Sequence, residues 1–329
     1  MIGLYARARR MLHRSGVFRA KRLPRPVISV GNLSVGGSGK TPHVLFLAKW
    51  LAGLGLRVAV LSRGYRRKSR GVVWVSDGEG AQASAGEAGD EPALLAASLP
   101  GTAVIVGESR YEAGMECLRK RDADVFVLDD GFSHLSLERD VDILLVDGTM
   151  GLGNGRTLPF GPLREPPGHA RFADALVVTR CDSPDLKERV LSGLPFPADR
   201  PAAASRMVPG ALVGRDGAEV PVPVEGEDVA AFSGIARNER FEETLKTAGF
   251  RVKVFLRFGD HHWYTPRDLE RIRAEAGGLP VLTTEKDLVR IPGQVPFPVR
   301  ALRIGVEFVS GWEDLSRLVL DRIGRSRTE

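Results

Sequence analysis

The residues with the clearest chemical signature lie in a glycine-rich segment that ends in lysine and threonine. Gly36, Gly37 and Gly39 can adopt positive φ angles, which turn backbone N–H groups inward toward phosphate oxygens. Lys40 would then reach the β- and γ-phosphates of a nucleotide, and the Thr41 hydroxyl would ligate Mg²⁺. The segment therefore predicts a nucleotide site built on a phosphate-binding loop.

One position of this segment departs from the usual loop pattern, G-x-x-x-x-G-K-[ST]. Ser34 stands where that pattern begins with glycine, although serine can still turn the chain if its φ is negative. An apolar strand pattern precedes the loop and an apolar helix pattern follows it, which is the context that phosphate binding needs. A glycine-rich turn without a ligand is the alternative. The predicted nucleotide-binding residues are Ser34, Gly36, Gly37, Ser38, Gly39, Lys40 and Thr41.

Two adjacent carboxylates end a second apolar segment. Asp129 and Asp130 follow residues 125–128, which have a strand pattern. Carboxylates this close repel each other, so a nearby cation would stabilise both, and oxygen ligands suit Mg²⁺. We therefore predict that Thr41, Asp129 and Asp130 form a magnesium site beside the nucleotide phosphates.

The elements that must hold these residues are short, valine-rich segments separated by helical patterns. They are residues 27–30, 58–61, 72–75, 103–106, 125–128, 143–146 and 175–178. Continuous apolar runs of this kind indicate strands buried on both faces, as in parallel sheets. We predict an α/β fold of the P-loop NTPase type, with a mostly parallel sheet and helices on both faces. Ligands are expected beyond the carboxyl ends of the strands.

The pattern changes after residue 206. Residues 207–224 predict a β-hairpin with its turn at Asp216–Gly217, and Pro221 and Pro223 place it at a sheet edge or outside a sheet. A second, smaller α/β unit follows. The predicted parts are residues 1–26, a basic N-terminal helix; 27–206, the P-loop core; 207–224, a hairpin linker; and 225–329, a C-terminal α/β domain.

The N-terminal region is strongly basic, because Asp77 is the first acidic residue of a chain whose net charge is +6. Such a region favours a polyanionic partner: nucleic acid, anionic lipid or a phosphorylated substrate. Helical spacing places apolar residues on one face and basic residues on the other. The apolar positions are Met1, Leu4, Tyr5, Ala8, Met11 and Leu12, and the basic positions are Arg7, Arg9, Arg10 and Arg14. The pattern predicts a helix in a membrane interface, or alternatively a packed helix with a solvated basic face.

The apolar stretches, the cysteines and the absence of RNA-binding motifs in the sequence exclude several classes of protein. The longest apolar stretch, residues 44–61, is interrupted by Lys49 and Arg57, so no membrane-spanning helix is expected. Cys117 and Cys181 form neither a disulfide framework nor a metal pattern, which indicates a reducing cytoplasm. No RNA-binding motif accompanies the basic residues, so no nucleic-acid partner is expected.

Three classes of function suit a nucleotide site of this kind: a kinase with a small or lipid acceptor, a switch or partitioning ATPase, and a GTPase. Residues 179–182 resemble the guanine motif T-K-x-D, with arginine in place of lysine. A kinase also needs a base and phosphate-binding side chains, which Asp90, His261 and Arg164 could supply. Each has a simpler role available, since Asp90 is also a good helix N-cap.

Taken together, the motifs resemble those of the tetraacyldisaccharide 4′-kinases of lipid A synthesis, over nearly the full length of the chain. The shared segments are VGNLSVGGSGKTP at residues 30–42, SRGY at 62–65, GDEP at 89–92, LDDGFSH at 128–134, RDVDILLVDG at 139–148, GNGRTLPFGPLREP at 153–166, FSGIARNERF at 232–241, DHH at 260–262 and TTEKD at 283–287. The family's loop also lacks the first glycine, as this chain does at Ser34. One departure is Ser133, where the family commonly has glutamine.

The resemblance implies ATP-dependent phosphorylation of the 4′-hydroxyl of a tetraacylated glucosamine disaccharide 1-phosphate, a lipid embedded in the membrane. It also implies ATP and Mg²⁺ as cofactors. Members of the family bind peripherally to the cytoplasmic face of the inner membrane, so the resemblance favours the membrane role of the N-terminal helix. We expect a monomer.

The resemblance also implies roles for individual residues. It assigns the catalytic carboxylate to Asp90, with His261 beside it to orient it or to share the proton. Since His261 lies in the predicted C-terminal domain, the pair would form only when the two domains close. The predicted phosphate-binding side chains, assigned by motif match and chemistry, are Lys40, Arg63, Arg110 and Arg164.

Overall fold

A computed structural model gives the fold of residues 2–215, 217–222 and 226–326, which form one 13-stranded sheet flanked by helices. The strands are β1 Val27–Asn32, β2 Val58–Ser62, β3 Val73–Ser76, β4 Ala103–Val106, β5 Val125–Asp129, β6 Val141–Asp147, β7 Ala175–Thr179, β8 Ala202–Val213, β9 Glu219–Val220, β10 Asp228–Ser233, β11 Arg251–Arg257, β12 Val281–Thr284 and β13 Val299–Ser310. The helices are α1 Ile2–Arg14, α2 Lys40–Gly53, α3 Ala85–Ala88, α4 Asp90–Ser98, α5 Arg110–Lys120, α6 Pro184–Ser192, α7 Asn238–Thr247, α8 Pro266–Ala276, α9 Glu285–Leu288 and α10 Trp312–Ser326, with a 3₁₀ helix at Pro167–Phe172.

The sheet consists of two parallel groups. The order β8-β7-β6-β1-β5-β2-β4 is parallel throughout, with β3 antiparallel at its edge, and the order β11-β10-β12-β13 forms the second parallel group. The valine-rich strands of the first group are fully buried because helices cover both faces of the sheet. The predicted α/β fold, with a mostly parallel sheet and a smaller C-terminal α/β unit, is confirmed.

An antiparallel pair, β8 and β13, joins the two groups. The first residues of β8, Ala202–Ser205, pair with β7, and the first residues of β13, Val299–Leu302, pair with β12. Since β8 and β13 run in opposite directions, the carboxyl ends of each parallel group point toward the other group. Loops that follow strands in one group therefore face loops that follow strands in the other.

The first arm of the predicted hairpin, residues 207–213, pairs with β13, and its last residues, Leu212 and Val213, pair with the second arm, β9. The pairing of β8 with β7 involves residues 202–205, which precede that arm. The predicted hairpin is therefore confined to the end of β8, and the main partner of its first arm is β13, which the sequence pattern does not indicate. Of the residues in that prediction, Asp216, Pro223 and Val224 lie outside the described residues.

The hydrophobic core is continuous across the first group. On one face, Leu47 of α2 packs in the same cluster as Val319 of α10, and on the other face Ala113 of α5 packs against strands β2 and β5. The last helix, α10, thus returns to the first group after the chain has formed the second. This arrangement fixes α2, and with it the phosphate loop, against the sheet.

Candidate active site

The glycine-rich loop connects β1 to α2 in the conformation that phosphate binding requires. Gly36 has φ 107° and Gly39 has φ 82°, both in the region that only glycine adopts readily. The Asn32 amide donates hydrogen bonds to Ser38 Oγ at 2.8 Å and to Ser34 Oγ at 3.2 Å. Ser34 therefore supports the loop through its hydroxyl, at the position where the usual pattern has glycine.

Lys40 is the first residue of α2 and extends back over this loop. Its Nζ donates to Asn32 Oδ1 at 3.2 Å and lies 3.7 Å from Asp130 Oδ1. Burial lowers the pKa of Lys40, although the nearby carboxylates oppose that effect. Thr41 follows it, buried at the same helix N-terminus. A helix N-terminus with exposed N–H groups and a lysine is a site for an anionic phosphate.

Asp129 and Asp130 lie beyond the end of β5, but their environments differ. Asp129 accepts a hydrogen bond from Ser62 Oγ at 3.0 Å, and burial, with Asp130 nearby, raises the pKa of Asp129 to about 6. Burial also acts on Asp130, but hydrogen bonds from Arg164 and the charge of Lys40 outweigh it and lower the pKa of Asp130 to about 2. A cation bound near Asp129 would therefore stabilise its buried carboxylate, whereas Asp130 is already paired with Arg164.

The two predicted arginines occupy different settings. Arg164 donates to both carboxylate oxygens of Asp130 at 2.7 Å and to Asn32 Oδ1 at 2.6 Å, so it is fixed beside the loop. Arg110, at the start of α5, is buried, and within the described residues its Nε has no hydrogen-bond partner. Burial, together with Arg63, lowers the pKa of Arg110 to about 10, so it remains a cation at neutral pH. Its unpaired N–H group suits a phosphate oxygen.

Asp90 and His261 are in contact. His261 Nδ1 lies 2.7 Å from Asp90 Oδ2, at which distance the ring N–H can donate to the carboxylate. Asp90 is the first residue of α4, whose N-cap is Gly89, so the alternative that Asp90 caps this helix is wrong. His261 has φ 61°, and its backbone N–H donates to Gly234 O at 3.0 Å. A left-handed backbone held in this way directs the ring toward the first group of strands.

Arg290 completes this contact and was missed in the sequence. Its Nε and Nη2 lie 2.7 Å and 2.6 Å from Asp90 Oδ2, and its side chain is 1% exposed. Nη1 donates to Gly234 O at 2.8 Å and to Asp287 Oδ1 at 3.2 Å. The available signal was the i, i+3 spacing from Asp287 in the TTEKD segment, which places both side chains on one side of a helical turn.

A second ion pair joins the same two parts of the chain. Lys286 Nζ donates to Glu91 Oε1 at 2.6 Å, and Glu91 directly follows Asp90 in the chain. The predicted pair of Asp90 and His261 therefore stands in a closed interface, at the place where the carboxyl ends of the two strand groups face each other.

The T-R-C-D segment that suggested guanine binding instead supports the loop. Arg180 donates to Gly37 O at 2.9 Å and pairs with Asp147, and Thr179 Oγ1 donates to Ser38 O at 3.1 Å. These contacts direct both side chains to the main chain of the phosphate loop. Because Arg180 binds the phosphate loop, it is not placed to contact a guanine base, and the GTPase alternative is not supported.

Helix α1 does not pack on the protein through its apolar face, as the alternative of a packed helix with a solvated basic face would require. Arg10 is buried and donates to Glu165 Oε2 at 2.9 Å, and its guanidinium stacks on the ring of Phe132. Leu4 is 71% exposed and Met11 66% exposed. The apolar face is thus turned away from the protein; Met1, which was predicted to share it, lies outside the described residues. None of the helices in the described ranges is long and apolar enough to cross a membrane.

Comparisons with known proteins agree with one another. The family described as tetraacyldisaccharide-1-P 4′-kinase (LpxK) matches residues 1–324. The tetraacyldisaccharide 4′-kinase of Geobacter sulfurreducens is 44% identical over 294 residues, which cover 88% of this chain and 82% of that protein. That of Anaeromyxobacter dehalogenans is 41% identical over 319 residues, covering 93% and 84%.

A solved structure shares the fold as well as the sequence. It is described as an apo form of LpxK from Aquifex aeolicus in complex with ATP, and it superimposes with a TM-score of 0.82 at 38% identity. The match covers 98% of this chain and 96% of that one. The likeness therefore extends through both groups of strands.

Proposed function

The chain belongs to the tetraacyldisaccharide-1-P 4′-kinase family, and from this premise we propose the reaction that its site performs. The protein transfers the γ-phosphate of ATP to the 4′-hydroxyl of a tetraacylated glucosamine disaccharide 1-phosphate, in lipid A biosynthesis. The proposal is supported by the contact between Asp90 and His261, which joins a candidate base at the start of α4 to a histidine from the second group of strands.

The phosphate loop and its cations bind and orient the triphosphate. Backbone N–H groups of the loop and the α2 N-terminus face the phosphates, and Lys40 supplies a positive charge to the β- and γ-phosphates. Arg110, with its unpaired Nε, and Arg164 are placed to stabilise the charge that spreads over the transferring group. Phosphoryl transfer depends mainly on such positioning and charge neutralisation.

The residues present suit a magnesium ion. In residues 2–215, 217–222 and 226–326, no group of three or more acidic, histidine or cysteine side chains forms a metal cluster. Oxygen atoms of the nucleotide and of water would complete the coordination of a magnesium ion at this site. Thr41 and Asp129 offer oxygen donors, and Asp129 lacks the cation that Asp130 receives from Arg164. We assign the metal-binding carboxylate to Asp129 and a role in orienting Arg164 to Asp130. When bound, Mg²⁺ would neutralise charge on the β- and γ-phosphates.

Asp90 accepts the proton of the attacking hydroxyl. The contacts of His261 and Arg290 are both with Asp90 Oδ2, which leaves Oδ1 to receive the hydroxyl of the sugar. Arg290 fixes the carboxylate, and His261 can share the proton as it is transferred. Because these two residues come from the second group of strands, the base is complete only in the closed arrangement, which also excludes water from the phosphates.

The division of the chain follows from this arrangement. We propose that residues 27–206 bind the nucleotide, that residues 225–329 supply His261 and Arg290, and that the segment 207–224 belongs to the connection between them. The β8–β13 pair forms most of that connection, and α10 rests on the nucleotide-binding part. Bending within this pair would open and close the site.

The first helix places the enzyme on its lipid substrate. The exposed large apolar residues of α1 are Ile2, Leu4, Tyr5 and Met11, and Val17 and Phe18, which follow the helix, are exposed as well. Basic residues beside this surface would contact anionic headgroups, each contributing roughly 1 kcal/mol. We propose that the protein binds peripherally, as a monomer, to the cytoplasmic face of the inner membrane through this surface.

Incubation with γ-labelled ATP and a lipid extract tests the reaction. We expect label in a glycolipid that carries an acylated disaccharide, and none when Lys40→Ala replaces the wild-type protein. Label released only as free phosphate would indicate a switch ATPase instead. Activity retained by Lys40→Ala would mean that the loop does not bind the transferred phosphate.

A further inference from the structure

Each carbonyl oxygen of phosphate-loop residues 37–39 is in contact with a side chain that can donate a hydrogen bond. The three side chains, in the order of these carbonyls, are Arg180, Thr179 and His43. In a trans peptide the carbonyl and the following N–H point in opposite directions, so a hydrogen bond to one fixes the direction of the other. The contact of His43 Nδ1 with Gly39 O, at 2.8 Å, therefore orients the N–H of Lys40, the first residue of α2. This N–H group belongs to the helix N-terminus, which is a site for phosphate.

His43 joins this carbonyl to a strand that is not part of the loop. Its Nε2 lies 2.9 Å from Ser205 Oγ of β8, and both residues are buried. Because a carbonyl oxygen can only accept, the ring proton lies on Nδ1, and Nε2 accepts from the Ser205 hydroxyl. Burial, with the charge of Arg180, lowers the pKa of His43 to about 4, so the ring is neutral at physiological pH and keeps this tautomer.

Ser205 occupies the position at which β8 passes from the first group of strands into the β8–β13 pair. It pairs with Thr179 of β7 on one side and with Phe308 of β13 on the other. The Phe308 ring packs edge-on against the His43 ring at a centroid distance of 6.2 Å. His43 therefore contacts both strands of the pair that connects the two groups.

A second side chain of β8 also touches the loop. Met207 lies two residues after Ser205 and so on the same face of the strand. A Cβ added at Gly39 would collide with Met207 Cε, so this side chain packs directly on the loop. Met207 pairs with Val306 of β13 and lies beyond the last residue of β8 that pairs with β7. Movement of the β8–β13 pair relative to the first group would therefore change the contacts of Gly39.

We propose that His43 is a positioning residue that couples the phosphate loop to the β8–β13 pair through Ser205. The proposal rests on the proposed function, in which the loop binds ATP and bending of this pair opens and closes the site. The Ser205 hydroxyl orients the ring, the ring holds Gly39 O, and the N–H of Lys40 is thereby directed to a phosphate oxygen. Bending that disturbs these hydrogen bonds weakens nucleotide binding, and by linkage a bound nucleotide stabilises the pair in its closed arrangement.

Calorimetric titration with Mg²⁺ and a non-hydrolysable ATP analogue tests the coupling without the lipid acceptor. We expect Ser205→Ala to weaken nucleotide affinity about three- to tenfold, the effect of losing one buried hydrogen bond. His43→Phe keeps a ring against Phe308 but makes neither hydrogen bond of the imidazole, so it should weaken affinity at least as much. In the His43→Phe background, Ser205→Ala should have no further effect on affinity, because the partner of the hydroxyl is already absent.

Ser29→Ala is the matched control for removal of a buried hydroxyl. Ser29 lies fully buried in β1, and within the described residues its Oγ has no hydrogen-bond partner, so the variant should keep the wild-type affinity. In Ser205→Ala the KM for ATP should rise while the KM for the acceptor stays unchanged. A role of the hydroxyl in packing alone would instead lower the free energy of unfolding and leave nucleotide affinity as in the wild type.

Hydrogen exchange measures the reverse direction of the coupling. At saturating nucleotide analogue, amide exchange in residues 203–213 of β8 should become slower in the wild type. This protection should be smaller in Ser205→Ala, because the hydroxyl joins the strand to the ring that holds the loop.

Several results would overturn the proposal. Wild-type nucleotide affinity in Ser205→Ala, or an equal loss from Ser205→Ala with and without the His43 ring, would show that the two side chains do not act together. Equal exchange of β8 with and without nucleotide would exclude the coupling. Ser205→Ala removes a single oxygen atom, so it remains informative if His43→Phe fails to fold. A wild-type protein that does not bind the analogue would refute the proposed function itself.

Discussion

Arg290 Nε lies 2.7 Å from Asp90 Oδ2, although the two residues are 200 positions apart in the chain. Arg290 follows a strand of the second parallel group, and Asp90 opens a helix that packs on the first. The same guanidinium binds Gly234 O and Asp287, so the geometry of Asp90 depends on the folding of the second group. The proposed base, Asp90, is thus held by residues from two parts of the protein.

Replacing Arg290 by lysine should slow turnover with little effect on ATP. Lysine keeps the charge but cannot reproduce the fork of hydrogen bonds on Asp90 and Gly234 O. We expect kcat to fall by roughly 10- to 100-fold, corresponding to one or two charged hydrogen bonds, while the KM for ATP is unchanged. Steady-state kinetics measure both. Arg271→Lys is the matched control, and a normal kcat in a folded Arg290→Lys protein would exclude the positioning role.

Removing the basicity of Asp90 should abolish most of the activity. Asp90→Asn keeps the size of the side chain but cannot accept the proton, so we expect turnover to fall by roughly two to four powers of ten. ATP binding, measured by calorimetry, should persist because Asp90 does not contact the phosphate loop in the structure. Asp185→Asn, at an exposed position of α6, controls for loss of a carboxylate. Undiminished turnover would remove Asp90 from the mechanism.

Asp129 should destabilise the nucleotide-free protein at neutral pH. Burial raises the pKa of Asp129 to about 6, so the folded state prefers the protonated carboxyl. The protonated carboxyl contributes its full stabilisation below the pKa that Asp129 has in the unfolded chain. This contribution is lost as the pH rises through about 6, the pKa in the folded protein. Asp129→Asn should therefore raise the free energy of unfolding by roughly 3 kcal/mol at about pH 8, as a shift of this size implies. Denaturant unfolding measures it; destabilisation at that pH would contradict this account.

The same carboxyl should release a proton when the metal and nucleotide bind. A metal ligand must be ionised, so below about pH 6 the binding of Mg²⁺ with ATP has to displace the proton of Asp129. Calorimetry in two buffers of different ionisation enthalpy should show proton release at about pH 5.5 that disappears in Asp129→Asn. The same proton release in wild type and variant would assign the metal to another group.

Charged substitutions on the apolar surface of α1 should release the protein from membranes. We expect the double variant Leu4→Glu/Met11→Glu to lose binding to anionic vesicles in co-sedimentation. Insertion of the helix into the membrane interface would then require burying two charged glutamate side chains. Deletion of the helix is less clean, since it would leave Glu165 buried without Arg10. Leu320→Glu on α10 is the matched control. If the double variant and the Leu320→Glu control bound vesicles equally well, α1 would have no role in membrane binding.

The local elements were predictable because their signals are local. Apart from β8, the strands of the first group, the glycine-rich loop and the following helix appear where valine runs, glycines and helical spacing predict them. The residue types of the loop also indicate phosphate binding. A glycine-rich turn without a ligand would explain the glycines but not the lysine, whereas phosphate binding uses both. Family motifs then added Asp90 and His261, which no spacing rule connects.

The sequence alone thus determined the elements, the nucleotide loop and the order of the motifs, because each depends on residues within a few turns of one another. Only the tertiary structure decided which side chains meet. The pairing of β8 with β13, the burial of Arg10 against Glu165 and the contact of Arg290 with Asp90 join residues that are 88 to 200 positions apart. Such pairs are fixed by the direction of strands and the packing of helices across the sheet, and no local periodicity encodes them.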